Sequence, residues 1–191
     1  MTAGISGYMG SGKSGAAKYI CEKYGFTLID ADKTARKLML ENSDLINEVD
    51  KVFNVAENGK IDFGQLGIIA FENVKNLKKL NSITFPYIIE AIKSEIKATS
   101  CSSLLDAALL PLISPKEICD FAVWIDCGVQ TRIQRLQKRT NLSIGEIKNR
   151  IEKQTHLMHK PKPDGCFWNF VENNSSLENL FGETDKIFYN K

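Results

Sequence analysis

Nowhere in this 191-residue chain do two cysteines stand as a C-x-x-C pair. The five that occur, Cys21, Cys101, Cys119, Cys127 and Cys166, are odd in number, which excludes a dense disulfide scaffold and points to a reduced, cytoplasmic compartment. Histidine is nearly absent. His156 and His159 with Cys166 do not complete a zinc ligand set and read as part of a solvated loop. No apolar run reaches the length of a membrane span, and no basic stretch followed by an apolar one opens the chain. An excess of one charge is lacking too. The 25 basic and 23 acidic side chains leave a net +2, which argues against nucleic acid or a membrane surface as the main partner. There is no internal repeat and no low-complexity segment, and the oligomeric state is left open. What remains is a soluble globular chain, long enough for one domain with a full core.

Against this background one segment stands out. Gly7-Tyr8-Met9-Gly10-Ser11-Gly12-Lys13-Ser14 fits the phosphate-binding pattern of glycine, four residues, then Gly-Lys-Ser. A short apolar run with Ala3 and Ile5 precedes it, and Lys13, Ala16, Ala17, Ile20, Cys21 and Tyr24 follow at helical spacing. Glycines let the backbone turn tightly and offer N–H groups to phosphate oxygens, and a helix N-terminus adds partial positive charge. Gly7, Gly10, Ser11, Gly12, Lys13, Ser14 and Gly15 are therefore the candidate nucleotide contacts. Lys13 would reach the terminal phosphates, and the Ser14 hydroxyl would take a place around Mg²⁺.

Strand and helix signals alternate along the rest of the chain, which predicts an α/β fold with a mostly parallel sheet. Residues 26–29 read as a second strand, followed by a helix carrying Ala35, Leu38 and Met39. Residues 43 to about 100 show no clear strand. They carry an Asn58-Gly59 turn signal and a helical stripe of Phe85, Ile88, Ile89, Ile92 and Ile96, with Pro86 suited to the first turn of that helix. Residues 103–105 read as a third strand leading to Asp106, and 121–126 as a fully apolar, interior one. Helices are expected at about 129–139, with an apolar stripe of Val129, Ile133 and Leu136, and at about 143–154, where Ser143 and Glu146 make a capping box. A last strand at 167–171 and a helix with Leu177, Leu180 and Phe181 close the pattern. Ligands in such folds sit at the carboxyl ends of strands, where Gly7, Asp30, Asp32 and Asp106 fall.

Phosphoryl transfer needs a phosphate cradle, a metal, cations over the moving group, and a group to deprotonate the acceptor. Asp32 is placed to accept a proton from a substrate hydroxyl. Asp30 points to the opposite face if the strand continues through it, and is then structural or an indirect metal contact. The competing reading is helix capping by Asp30 or Asp32. Asp106 stands where a second acid would help to hold Mg²⁺, directly or through water. Arg132, Arg135 and Arg139 share one helix face. With Arg150 on the next helix they read as a lid over the phosphates, against the alternative of a solvated basic face.

With these residues in hand, the chain resembles dephospho-coenzyme A kinases from about residue 3 to 181. The resemblance rests on Gly4 through Ser14, on Ile29-Asp30-Ala31-Asp32-Lys33-Thr34-Ala35-Arg36, on Asp106-Ala107-Ala108-Leu109-Leu110, on residues 135–143 and 150–154, and on Glu172-Asn173-Asn174-Ser175-Ser176-Leu177. It implies a P-loop kinase fold with a five-stranded sheet, and transfer of the ATP γ-phosphoryl group to the ribose 3′-hydroxyl of dephospho-coenzyme A, the last step of coenzyme A synthesis. It further implies Asp32 as base, Lys13 and Arg139 as catalytic cations, and Arg36 and Asp106 on the substrate side. Asn173 would lie near the adenine and Mg²⁺ would sit at Ser14. The core would comprise about 1–42, 101–130 and 166–191, with a helical acceptor region at about 43–100 and a helical lid at about 131–165.

The chain departs from that family pattern at several positions. Tyr8 and Met9 stand in place of Gly-Ile, Gly15 in place of Thr, Phe85 in place of His, and Arg132 in place of Gln; Ala108, Pro111 and Leu112 also differ. The alternatives are another metabolite kinase of the P-loop class, similar to shikimate or nucleoside monophosphate kinases, or a catalytically degenerate ATP-binding relative. The absence of a Gly-Gly pair argues against the shikimate type, and the absence of Asn-Lys-x-Asp argues against a GTPase.

Overall fold

The computed structural model describes residues 1–189, which divide into two compact units. One comprises Met1–Ile29 together with the chain from Ala98 onward, and the other is Asp30–Lys97. The first unit holds the expected five-stranded sheet, formed by β1 (Thr2–Gly7), β2 (Thr27–Asp30), β5 (Ser103–Asp106), β6 (Phe121–Asp126) and β7 (Trp168–Glu172). Their order across the sheet is β2-β5-β1-β6-β7, and the pairs β1–β5, β1–β6 and β6–β7 are parallel. The carboxyl ends of β1, β5 and β6 thus lie along one edge, bringing Gly7, Asp106 and Asp126 there. All six residues of β1 are buried, as are the five apolar ones of β6, which explains why these strands read as continuous runs rather than alternating ones.

Helix α1 (Lys13–Tyr24) and helix α8 (Leu177–Phe188) pack together against the sheet. Ala16, Ala17 and Ile20 from α1, and Leu180 and Phe188 from α8, join Ile5, Leu104, Val123 and Ile125 in one core. Helix α6 (Val129–Arg139) and helix α7 (Ile144–Leu157) form a pair joined by Ile133, Leu136, Ile147 and Ile151, with Met9 and Leu142 against them. The Ser143–Glu146 capping box forms as expected. Val129 corrects the predicted apolar stripe, because it is exposed in the first turn while Ile133 and Leu136 are buried.

The second unit contains α2 (Ala31–Glu41), α3 (Ser43–Phe53), α4 (Phe63–Glu72) and α5 (Val74–Ala98) around Leu45, Ile46, Val49, Phe53, Leu66 and Ala70. The expectation of no strand here is corrected by a small hairpin, β3 (Ala56–Glu57) and β4 (Lys60–Ile61). Its two strands are too short to show alternation. Its turn was legible, and Asn58 (φ 50°) with Gly59 (φ 73°) gives the two positive φ angles that a tight hairpin needs. Pro86 is the second correction. It lies in the interior of α5, which begins at Val74 behind the capping side chain of Asn73. The ring is exposed, and buried Thr84, Ile88 and Ile92 hold the helix on either side of the missing N–H. No helix among the described residues is long and apolar enough to cross a membrane.

Candidate functional site

The loop between β1 and α1 is shaped by what holds its carbonyl groups. The Met9 carbonyl accepts from Arg132 Nε at 3.0 Å, and the Ser11 carbonyl accepts from Asn173 Nδ2 at 2.7 Å and Arg135 Nη1 at 3.3 Å. A trans peptide directs its N–H opposite to its C=O. Drawing these two carbonyls inward therefore turns the N–H groups of Gly10 and Gly12 the other way. Gly12 (φ 101°) starts α1 without any side-chain cap, and while the Gly15 N–H turns back to the Gly12 carbonyl, those of Lys13 and Ser14 have no intrahelical partner. Turned amides, an uncapped helix N-terminus and the Lys13 ammonium converge on one spot, which is what an anion requires.

That spot is a cavity of about 490 Å³ lined by Tyr8 to Gly15 together with Arg135, Leu136, Arg139 and Thr140. Lys13 Nζ donates to Asp106 Oδ1, linking the loop to the end of the neighbouring strand β5. Arg135 is committed to structure: besides Ser11 it donates to Cys127 Sγ at 3.4 Å and Asn173 Oδ1 at 3.3 Å. Burial pushes the Cys127 thiol up in pKa, although the Arg135 and Arg132 guanidinium groups oppose that shift. Arg139 is exposed at the cavity wall and has no ion-pair partner among the described residues. Of the three arginines predicted to share a helix face, Arg132 and Arg135 therefore hold carbonyl groups of the loop, and Arg139 is left at the cavity wall.

Asn173 is 2% exposed beneath the loop, with both ends of its amide in use and its own N–H on the Asp126 carbonyl. In the second unit, Asp30 is the residue that caps α2, accepting from the N–H groups of Asp32 and Lys33 at 3.1 Å each. The capping alternative read from sequence thus falls to Asp30. Asp32 is left exposed in the first turn. Arg36, one turn further on the same face of α2, lies 5.5 Å above the Phe63 ring. Among the described residues no group of three or more His, Cys, Asp or Glu side chains is arranged to hold a metal ion.

Several partners of the loop were invisible in the sequence. Gln154 Oε1 accepts from the Met9 N–H at 2.8 Å, and the Tyr8 hydroxyl accepts from the Lys160 N–H at 3.0 Å. These contacts join residues some 150 positions apart, and nothing in the local pattern announces them.

Comparison with known proteins places this geometry. The profile of the dephospho-CoA kinase family matches residues 1–179. A dephospho-CoA kinase of Fusobacterium nucleatum is 30% identical over 98% of this chain and 96% of its own. Among solved structures, a Thermus thermophilus protein superposes with a TM-score of 0.75 at 21% identity, covering 100% of this chain and 97% of the other. A dephospho-CoA kinase from Campylobacter jejuni superposes with a TM-score of 0.65 at 23% identity, covering 98% and 95%. These two structural likenesses bear on the fold; the family follows from the profile and the sequence identity. The chain belongs to the dephospho-CoA kinase family, transferases that phosphorylate an alcohol group of dephospho-CoA in coenzyme A synthesis with ATP as co-substrate.

Proposed function

We propose that this chain transfers the γ-phosphoryl group of ATP to the ribose 3′-hydroxyl of dephospho-CoA, with Asp32 as the base. The observation that carries the reading is the single cavity lined by the phosphate loop, Lys13, Ser14 and Arg139. Gly7, Gly10, Ser11, Gly12, Lys13, Ser14 and Gly15 cradle the phosphates, and Asn173 serves ATP binding by holding the loop from beneath. Asp32 takes the proton of the acceptor hydroxyl, the oxygen bonds to the γ-phosphorus, and the bond from that phosphorus to ADP breaks. Lys13, released from Asp106, and Arg139 meet the charge that gathers on the transferred group and the leaving oxygen. Arg36, on the face of α2 that carries Asp32, contacts the substrate, as does Asp106.

A magnesium ion fits this donor set. With no cluster of carboxylates arranged to cage it among the described residues, the ion would depend on nucleotide oxygens together with the Ser14 hydroxyl. When bound, it would neutralise phosphate charge. Residues 43–100 form the acceptor-binding region, 131–165 the lid, and 1–42, 101–130 and 166–191 the core. The five cysteines, all free thiols, suit work in a reducing cytoplasm.

The test is an ATP-consumption assay with Mg²⁺ that compares dephospho-CoA, shikimate, AMP and CMP, repeated with Asp32→Asn. Turnover is expected with dephospho-CoA alone. The substitution should lower kcat by about 10²–10⁴-fold while ATP still binds. Full activity in the variant, or turnover of another acceptor, overturns the reading.

A further inference from the structure

Arg132 is a buried cation that the reaction just described does not use. It is 2% exposed, and among the described residues it forms no close ion pair, Asp126 acting on it only at longer range. Its guanidinium carbon lies 4.7 Å from the centroid of the Tyr8 ring, its Nε holds the Met9 carbonyl, and its Nη2 is buried with no hydrogen-bond partner. Burial lowers its pKa from the ordinary arginine value, which marks how poorly the charge is solvated. Packing alone does not call for a guanidinium here, since an apolar side chain would fill the space without leaving an N–H pair unmet.

Tyr8 and Met9 extend the contact to the far side of the helix pair. The Tyr8 ring stands edge-on to buried Trp124 at 5.0 Å, and its hydroxyl donates to the Met158 carbonyl at 3.4 Å while accepting from the Lys160 N–H at 3.0 Å. The Met9 N–H goes to Gln154 on α7, and its carbonyl goes to Arg132 on α6. Both faces of the Met9 backbone are thus held by the α6–α7 pair. Lys160, just beyond α7, is itself pinned to Asp126 at the end of β6 by an ion pair of 2.6 Å.

We propose that Tyr8 and Arg132 form a latch through which the α6–α7 pair holds the phosphate loop in its anion-receiving shape, with Arg132 as a positioning residue for ATP. This latch rests on the reading that Gly7 and Gly10 to Gly15 cradle the ATP phosphates. Two effects act together. Holding the Met9 carbonyl turns the Gly10 N–H away from Arg132, and the guanidinium, only partly offset by the more distant Asp126, leaves positive potential under the loop. A cation over an aromatic face in a buried setting is a favourable contact, so the ring keeps the guanidinium in place. The latch also ties the loop to any movement of α6 and α7.

The experiment measures Kd for ATP, ADP and adenosine by competition with a fluorescent ATP analogue, and KM for ATP and for dephospho-CoA. It uses the full chain and the variants Arg132→Gln, Arg132→Lys, Tyr8→Phe, Tyr8→Ala and Tyr8→Ala/Arg132→Gln. Arg132→Gln is expected to weaken ATP by about tenfold or more, as loss of a charged hydrogen bond implies. ADP should weaken less and adenosine by less than about twofold, because the effect acts on phosphate charge. KM for dephospho-CoA should not move. Arg132→Lys keeps the charge and recovers part of the loss. Tyr8→Phe, which retains the ring, should bind ATP nearly as the parent does, and Tyr8→Ala should lose most of what Arg132→Gln loses. In the double variant the two losses should fail to add. If Arg132→Gln does not fold, the Tyr8 pair alone decides: equal ATP affinity in Tyr8→Phe and Tyr8→Ala overturns the latch. Unchanged ATP affinity in folded Arg132→Gln overturns it too, as does an equal loss for adenosine. A parent protein that binds ATP no better than adenosine removes the phosphate-loop reading itself, and the latch with it.

Discussion

Introducing a single methyl group at Gly12 tests how the phosphate loop is built. At Gly12 the backbone has φ 101°, and a Cβ would come within 2.1 Å of Asn173 Nδ2. Two penalties follow. A side chain held at that φ costs about 1–3 kcal/mol. The Asn173 amide must also withdraw, which takes from the Ser11 carbonyl its 2.7 Å hydrogen bond and from Arg135 Nη2 its acceptor, for about 1–3 kcal/mol more. Gly12→Ala is therefore expected to cost about 2–6 kcal/mol, a large part of the ~5–15 kcal/mol that holds a typical domain together. Asn173→Ala alone should cost about 1–3 kcal/mol, through the same lost hydrogen bonds.

The informative variant combines them. Once Asn173 is truncated, the nearest remaining atom to the new Cβ is Leu180 Cδ2 at 3.6 Å, an ordinary contact. The double variant thus retains the φ penalty and the Asn173 loss but not the collision, and should be more stable than the sum of the singles by about 1–3 kcal/mol. Urea unfolding followed by tryptophan fluorescence reads this directly, because Trp124 and Trp168 both lie in the sheet of the unit that carries the loop. Strict additivity of the two substitutions, within about 0.5 kcal/mol, would refute the collision and the bracing role of Asn173 with it.

Thiol labelling offers a second check. Cys101 and Cys166 are exposed and should react with an alkylating reagent at neutral pH, whereas Cys119, buried and with its pKa pushed up to about 12, should stay protected until unfolding. The junction of α1 and α8 should be sensitive to both acid and alkali. Burial pulls the Asp185 pKa upward, but hydrogen bonds from Lys23, Tyr24 and Tyr19 outweigh it and hold the carboxyl below its ordinary value. With the folded pKa depressed, that contribution is present above about pH 4 and is lost as pH falls through the folded value; Asp185→Asn should flatten the melting temperature against pH over about pH 2–5. Tyr24 behaves in the opposite sense. Burial first and Asp185 second raise its pKa to about 12, so its contribution is present below about pH 10 and lost as pH rises through 12. A parent protein whose melting temperature is level across both windows would contradict these assignments.

Local chemistry was legible in the sequence and long-range chemistry was not. The phosphate loop, the Ser143–Glu146 box and the Asn58-Gly59 turn depend on residues a few positions apart, and their physical causes lie within the same window. Pro86 misled because the sequence marks a helix start there, while the true start at Val74 is set by Asn73 and by burial of the residues around Thr84 and Ile88. Asp30 and Asp32 looked alike until one of them was seen to accept the amides of the following turn. The props of the loop, Arg132 on α6, Gln154 on α7 and Asn173 just past β7, come from more than a hundred residues away. Their role follows from the parallel sheet, which no single window encodes.

The order of strands across that sheet has a further consequence, for the order in which the chain can fold. β1 precedes the other strands of the sheet in the chain yet lies in the middle, with Thr2 beside Ser103 and Ala3 beside Phe121. During synthesis its apolar residues must wait for partners, since β6 is complete only at Asp126, roughly 6–24 s after Gly7 ends β1 at ~5–20 residues per second. Residues 30–97 are made in that interval, and they form a compact unit among themselves, so the second unit can reach its structure while the first is still two unpaired strands and a helix. The site proposed to receive ATP is therefore among the last parts of this protein to form.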